Sequence, residues 1–134
     1  MPATTLSRLL GLFALAALLA TGGSLVAQRR IVKISAERFA FTPSEIAMTT
    51  GEEIEIRLKS DDTSHGFKLI GRDVNLTIPK RGQGEVSIVF KPEHAGRYEF
   101  ECSNVCGAGH SFMRGVIVVR DSKPVSGPVG DHVR

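Results

Sequence analysis

The chain has 134 residues, of which 42 % are hydrophobic, so it accommodates one domain with a single core and excludes a multidomain enzyme. Lys and Arg outnumber Asp and Glu by 17 to 14, which gives a formal net charge of +3 at pH 7. The charges are interspersed along the chain, so they give no electrostatic reason to expect nucleic-acid binding.

Residues 1–28 are predicted to be a signal peptide or a single membrane anchor. Arg8 is followed by an uninterrupted apolar run over residues 9–20 and then by small residues that end at Ala27. This order is typical of a secretory signal peptide. The uncharged residues 9–28 also just reach the length of a membrane-spanning helix, which would anchor the chain in the membrane. Both alternatives place the rest of the chain in the periplasm or on the outer face of the cytoplasmic membrane.

Residues 29–121 are predicted to form an all-β domain. Ile54, Ile56 and Leu58 alternate with charged residues, and this period of two is typical of a strand with one buried face. No part of the domain shows a helical period, and turn-forming residues separate its apolar segments. Further strands are predicted over residues 32–34, 65–70, 85–91, 97–102 and 116–119.

About seven short strands at this spacing favour a β-sandwich with Greek-key connections. Residues 122–134 contain two prolines and two glycines and have no apolar pattern, so we expect them to form a flexible tail. The sequence therefore predicts one sandwich domain between an N-terminal hydrophobic segment and a loose C-terminus.

The chemistry of the domain is concentrated in the loop that follows the strand at residues 97–102. Thiolate, imidazole and a weak thioether are the donors of copper electron-transfer sites. His65 is the best candidate for a further ligand, because it lies where a polar turn enters a strand and two strand ends can meet at one pole of a sandwich. The donors of the loop lie within twelve residues: Cys102, Cys106, His110 and Met113.

Simpler roles exist for the same residues. Outside the cytoplasm, Cys102 and Cys106 can form a disulfide. His65 taken alone is typical of a surface or turn histidine, and Met113 taken alone is typical of a core residue. The close spacing of the donors in the loop favours a metal site over these alternatives.

The pattern resembles the CuA domain of cytochrome c oxidase subunit II, in the cupredoxin superfamily. The similarity rests on the motif Cys102-x-x-x-Cys106-x-x-x-His110-x-x-Met113 and on His65 within a Ser-His-Gly-Phe segment. It covers residues 39–119 and is nearest to the short, single-anchor subunit II of the B-family oxidases. The chain departs from many members because it has no tryptophan for the electron-entry surface.

The resemblance implies a binuclear CuA centre that holds two copper ions. Two sulfurs bridge both ions, two histidines each bind one ion, and a methionine and a main-chain carbonyl are weak ligands of one ion each. Most oxidase members have glutamate where Asn104 lies here, which a backbone ligand tolerates. We also expect Val105, Phe112 and Phe67 to keep water off the sulfurs. The resemblance implies Cys102 and Cys106 as the bridging sulfurs and His65 and His110 as the histidine ligands. Met113 is the implied methionine ligand, and Asn104 supplies the implied main-chain carbonyl.

Such a centre implies one-electron transfer, with no catalysis by this chain on its own. The resemblance implies a cytochrome c or a small copper protein as electron donor and an oxidase subunit I as a further partner. One alternative is a periplasmic protein that binds copper for delivery, for which the three methionines of the chain are few. Another is a structural sandwich with a Cys102–Cys106 disulfide. No motif supports a hydrolase or a transferase.

Overall fold

The computed structural model describes residues 29–122. The predicted signal peptide or membrane anchor at residues 1–28 lies outside the described residues, as does the predicted tail from residue 123 onward. In the part that is described, no helix has the length and the apolar character needed to cross a membrane. The predicted domain boundaries therefore stay predictions.

Residues 29–122 form nine β-strands and one short 3-10 helix, which confirms the all-β prediction. No α-helix occurs within this range. The elements are β1 (Arg30–Glu37), β2 (Ala40–Thr42), β3 (Glu45–Thr49), β4 (Ile54–Ser60), β5 (His65–Leu69), β6 (Asn75–Ile78), β7 (Glu85–Phe90), β8 (Gly96–Glu101), the 3-10 helix (His110–Phe112) and β9 (Arg114–Arg120).

The strands form two sheets that enclose the core between them. The four-stranded sheet has the order β2-β1-β4-β7, and the five-stranded sheet has the order β3-β9-β8-β5-β6. Most neighbours are antiparallel, but β1 pairs with β4 and β3 pairs with β9 in parallel. These pairings join strands that are distant in sequence, as expected for the predicted sandwich.

The alternation in β4 shows how the sequence builds this core. Ile54, Ile56 and Leu58 have no exposed surface, whereas the charged residues between them are half-buried or exposed. Full burial of each such side chain stabilises the fold by roughly 1.5–3 kcal/mol relative to exposure. The period of two therefore identified the buried face of β4 correctly.

Three strands, β2, β3 and β6, were not predicted from the sequence. β2 has three residues and β6 has four, so neither is long enough to show a clear alternation. β3 does alternate, because Ile46 and Met48 are buried and their neighbours are exposed. The alternation that indicates β3 was therefore visible in the sequence.

The topology brings several turns to one end of the sandwich. β5 begins at His65 and runs antiparallel to β8, which ends next to Cys102. β8 is also antiparallel to β9, so the 102–113 loop that joins them lies at this end. Because β1 runs parallel to β4, the turns that follow these two strands lie there as well.

Candidate metal centre

The two cysteine sulfurs lie side by side just below the surface of this end. Cys102 and Cys106 are buried and free, and their Sγ atoms are 3.8 Å apart. A disulfide joins sulfurs at about 2.05 Å, so the two thiols are not bonded to each other. Cys102 continues the buried face that Phe100 sets in β8. Its backbone N–H donates to the Met113 carbonyl at 3.0 Å, which fixes the base of the loop.

His65 meets Cys102 from the neighbouring strand β5. Its ring has no exposed surface; Nδ1 lies 3.9 Å from Cys102 Sγ and Nε2 lies 2.6 Å from Asp62 Oδ1. A carboxylate only accepts hydrogen bonds, so Nε2 donates to it and the neutral ring has its lone pair on Nδ1. The donor atoms of His65, Cys102 and Cys106 all lie within 4.8 Å of one another.

The other predicted ligands surround the same two sulfurs. His110 Nδ1 and Met113 Sδ are each 3.9 Å from Cys106 Sγ, and the Asn104 carbonyl oxygen is 3.1 Å from Cys102 Sγ. Met113 is fully buried, while His110 is half-buried at the start of the 3-10 helix. The structure therefore brings all six predicted residues together.

Asp62 takes part in the site, although sequence analysis gave it no role. Partial burial opposes its ionisation, but hydrogen bonds from the His65 ring and from the backbone N–H groups of Arg38 and Thr63 outweigh this and lower its pKa to about 2. A carboxylate on the far nitrogen of a metal-binding histidine fixes the tautomer and the orientation of the ring. Its position three residues before His65 is visible in the sequence, but the hydrogen bond is not.

Gly66 sets the distance between β5 and the 102–113 loop. Its N–H lies 3.4 Å from Cys102 Sγ, where it can donate to the sulfur. A Cβ built on Gly66 would lie 2.6 Å from the backbone nitrogens of Ser103 and Asn104, closer than real Cβ atoms approach. Only glycine therefore allows this close contact between strand and loop.

The environment of Cys106 favours the protonated form of its thiol when no metal is present. Burial, followed by the hydrogen bond and the charge of Cys102, raises the pKa of the Cys106 thiol to about 11. A metal that binds the thiolate must displace this proton, so binding releases protons and strengthens as the pH rises.

Of the three apolar residues that were expected to shield the sulfurs from water, only Phe67 is buried. Phe67 is fully buried and packs against Phe41 and Phe100, but Val105 and Phe112 are 81 % and 82 % exposed. The expectation that these two loop residues keep water off the sulfurs is wrong, because the loop turns both of them outward. A polar cleft of about 350 Å³ opens beside the site and is lined by Lys68, Glu101, Cys102, Ser103, His110, Ser111 and Arg114.

The donor set fits copper. Two thiols, two imidazole nitrogens, a thioether and one carbonyl lie within 4 Å of one or the other sulfur. Thiolate and thioether select soft metal ions such as Cu(I), and imidazole binds copper as well, whereas Mg²⁺ and Ca²⁺ prefer oxygen ligands. The residues present can therefore hold copper through these six groups.

Solved structures share this fold. The periplasmic domain of subunit II of cytochrome oxidase (CoxB) of Bradyrhizobium japonicum aligns with a TM-score of 0.62 at 18 % identity, over 69 % of this chain and 85 % of that one. A chain of a heme-copper terminal oxidase dimer aligns with a TM-score of 0.60 at 24 % identity, over 86 % and 93 %. Auracyanin A, a blue copper protein of Chloroflexus aurantiacus, gives 0.56 at 17 % identity, over 69 % and 100 %.

The sequence is also similar to that of cytochrome c oxidase subunit 2 of Thermus thermophilus. The two are 35 % identical over 91 residues, which are 67 % of this chain and 65 % of that protein. A second subunit 2 from the same species is equally similar, and 52 % of its length is covered. The chain thus spans between half and two thirds of the length of these relatives. Residues 9–119 match the family model of the cupredoxin-like domain, and the chain belongs to this family, whose fold and relatives imply that it binds copper.

Proposed function

We propose that the chain is a one-electron transfer domain with a binuclear CuA copper centre, as in cytochrome c oxidase subunit II. The observation that carries the proposal is the convergence of four further donor groups on two cysteine sulfurs that lie 3.8 Å apart. A mononuclear blue-copper site uses one thiolate and would leave the second buried thiol without a role. A copper-delivery protein needs exchangeable donors, which the full burial of His65 and Met113 does not favour.

When bound, the two copper ions supply a centre that takes up and releases one electron at a time. The chain holds the donors in place: His65 and Cys102 are held by paired strands, and Asp62 fixes the imidazole ring. The Gly66 N–H donates to the Cys102 sulfur and stabilises its negative charge. Because paired strands and hydrogen bonds hold these donors in place, we expect little rearrangement between oxidation states and therefore fast transfer.

Electrons enter, in this proposal, at the surface formed by Val105 and Phe112. Both side chains face solvent, and half-buried His110, two residues before Phe112, lies 3.9 Å from Cys106 Sγ through its Nδ1. The donor is a cytochrome c or a small copper protein, and the acceptor is an oxidase subunit I, which accords with the similarity to cytochrome c oxidase subunit 2. The domain works outside the cytoplasm, in the periplasm or on the outer membrane face, whether residues 1–28 are cleaved or serve as an anchor.

The test is to count the copper ions of the full chain and record its spectra. We expect a purple protein with two copper ions per chain and an electron spin resonance signal shared by both ions. Cys106→Ser should remove that shared signal and lower the copper content, because one bridging sulfur is lost. Ser111→Ala, in the same loop but on an exposed residue, is the control and should keep both ions.

Other results would identify a different site. A blue protein with one copper ion would indicate a mononuclear centre and contradict the proposal. A colourless protein whose thiols do not react would indicate a disulfide. An unchanged spin resonance spectrum in Cys106→Ser would show that this sulfur does not bridge the two ions.

A further inference from the structure

The turn between β1 and β2, formed by Arg38 and Phe39, contacts both segments that carry the ligands. The Arg38 side chain donates from Nε to the carbonyl oxygen of Cys106 at 2.8 Å, across 68 residues of sequence. The backbone N–H of Arg38 donates to Asp62 Oδ2 at 3.1 Å. One residue outside the ligand set therefore holds the main chain of a cysteine and the carboxylate that orients His65.

Phe39 makes the second contact, with the glycines of the 102–113 loop. A Cβ built on Gly109 would lie 2.5 Å from Phe39 Cγ, and one built on Gly107 would lie 3.0 Å from Phe39 Cζ. Gly107 has a φ of +143°, which itself favours glycine, but Gly109 has a φ of −92°, which alanine adopts without strain. The aromatic ring, and not the backbone, therefore requires glycine at position 109, directly before His110.

These contacts form one connected path. Asp62 Oδ1 accepts from His65 Nε2 at 2.6 Å while its Oδ2 accepts from Arg38, and the Arg38 guanidinium lies 4.0 Å from that same oxygen. The path thus runs from His65 through Asp62 and Arg38 to Cys106. It links the turn after β4 to the 102–113 loop by polar contacts that involve no metal.

We propose that the Arg38–Phe39 turn is a clamp that positions the copper ligands: Arg38 ties Cys106 to the Asp62–His65 pair, and Phe39 sets the path of the loop into His110. This inference rests on the proposed function, because it assigns a role at the same centre. Neither residue binds metal or touches the reacting atoms. Both are positioning residues, and their loss changes how firmly the ligands are held.

The first test is a double-mutant cycle on the copper-loaded full chain. Gly109→Ala should speed copper loss to a chelator about tenfold, because its Cβ meets the Phe39 ring. Adding Phe39→Ala makes room for that Cβ, so the double variant should lose copper at the rate of Phe39→Ala alone. An equal effect of Gly109→Ala with and without Phe39 would overturn the clamp, and so would no effect at all.

The second test concerns Arg38 and uses a control of equal charge change. Arg38→Ala should speed copper loss about tenfold and alter the hyperfine pattern of the spin resonance spectrum. Arg97→Ala removes one positive charge from an exposed residue of β8 and should change neither. Identical behaviour of the two variants would contradict a positioning role for Arg38.

The two proposals fail in different ways. If the unmodified chain does not bind two copper ions, the proposed function fails, and the same Gly109–Phe39 cycle measured as urea unfolding of the metal-free chain still tests the packing. If the unmodified chain binds two ions but the cycle is additive, the clamp alone is wrong. A variant that does not fold when Phe39 is present and folds when it is replaced by alanine supports the clamp.

Discussion

The two sheets of the sandwich contribute to the site in different ways. The five-stranded sheet carries the donors, because His65 begins β5 and the 102–113 loop joins β8 to β9. The turns that follow strands of the four-stranded sheet carry the residues that hold them, namely Asp62 after β4 and Arg38 with Phe39 after β1. In the proposed centre, one layer supplies the ligands, and the opposite layer fixes their orientation.

This difference predicts two classes of variant. A change that separates the five-stranded sheet from its loop should remove the site, because donors move apart. A change in the holding residues should leave the copper count intact and weaken binding or shift the reduction potential. The sandwich must be closed before the site is complete, so folding and ligand positioning are coupled.

The largest effect is expected for Gly66→Ala. The new Cβ would overlap the backbone of Ser103 and Asn104 and push the loop away from β5. Such overpacking costs about 1–3 kcal/mol of stability, and here it also breaks the contact with the Cys102 sulfur. We expect loss of both copper ions, measured by metal analysis.

Gly51→Ala is the matched control for that variant. Gly51 has a φ of +77° but open space around it, and it precedes β4 at the opposite end of the sandwich. The substitution should cost about 1–2 kcal/mol in backbone strain and keep both copper ions. Equal copper loss in the two variants would show that lower stability, and not the separation of loop and strand, empties the site.

A smaller effect is expected for Asp62→Asn, which keeps the shape of the side chain but removes its charge. Loss of the carboxylate behind a metal-binding histidine weakens metal affinity about 10–100-fold. Competition with a copper chelator measures this change. Asp61→Asn is the control, since the Asp61 carboxylate accepts hydrogen bonds from Lys59 and Ser35 instead of from His65. Similar losses in both variants would contradict the orienting role of Asp62.

The Asp62 carboxylate should also make the free energy of unfolding of the metal-free chain depend on pH in the acid range. Because the pKa of Asp62 falls from 3.8 to about 2 on folding, its stabilising contribution is present above pH 4 and is lost as the pH falls toward 2. Asp62→Asn should lose less stability over this interval, by about 1 kcal/mol once solvent screening is allowed for. Urea unfolding between pH 5 and pH 2 tests this, and parallel curves would contradict it.

The smallest effect is expected for Asn104→Ala. Its side-chain amide donates a hydrogen bond to Ser64 Oγ at 3.2 Å. The group that faces the Cys102 sulfur is instead its backbone carbonyl oxygen. Removing this hydrogen bond should cost about 0.5–1.5 kcal/mol and shift the reduction potential without changing the copper count. Ser64→Ala removes the same bond from the other side and should give a matching shift. Loss of copper in Asn104→Ala would show that the side chain itself is needed.

The sequence predicted the six candidate donor residues that the structure brings together, but not the residues that hold them in place. Cys102, Cys106, His110 and Met113 were candidates because their distinctive groups are close together in the chain. His65 was chosen for its place where a turn enters a strand, and Asn104 only because of the family resemblance. Arg38 and Phe39 carry no such signal, since an arginine and a phenylalanine in a turn are ordinary and their partners in the 102–113 loop lie about 70 residues away. Val105 and Phe112 were misjudged because an irregular loop has no period that assigns its apolar residues to one face.

The outward position of Val105 and Phe112 has a consequence for encounters with the proposed electron donor. Two apolar side chains at the rim of the site make the rate of productive contact depend on how readily water leaves them. Added salt screens the electrostatic attraction between two proteins, but it does not screen the release of water from these two apolar side chains. An electron donor that lands on this rim should therefore keep most of its turnover as the ionic strength rises.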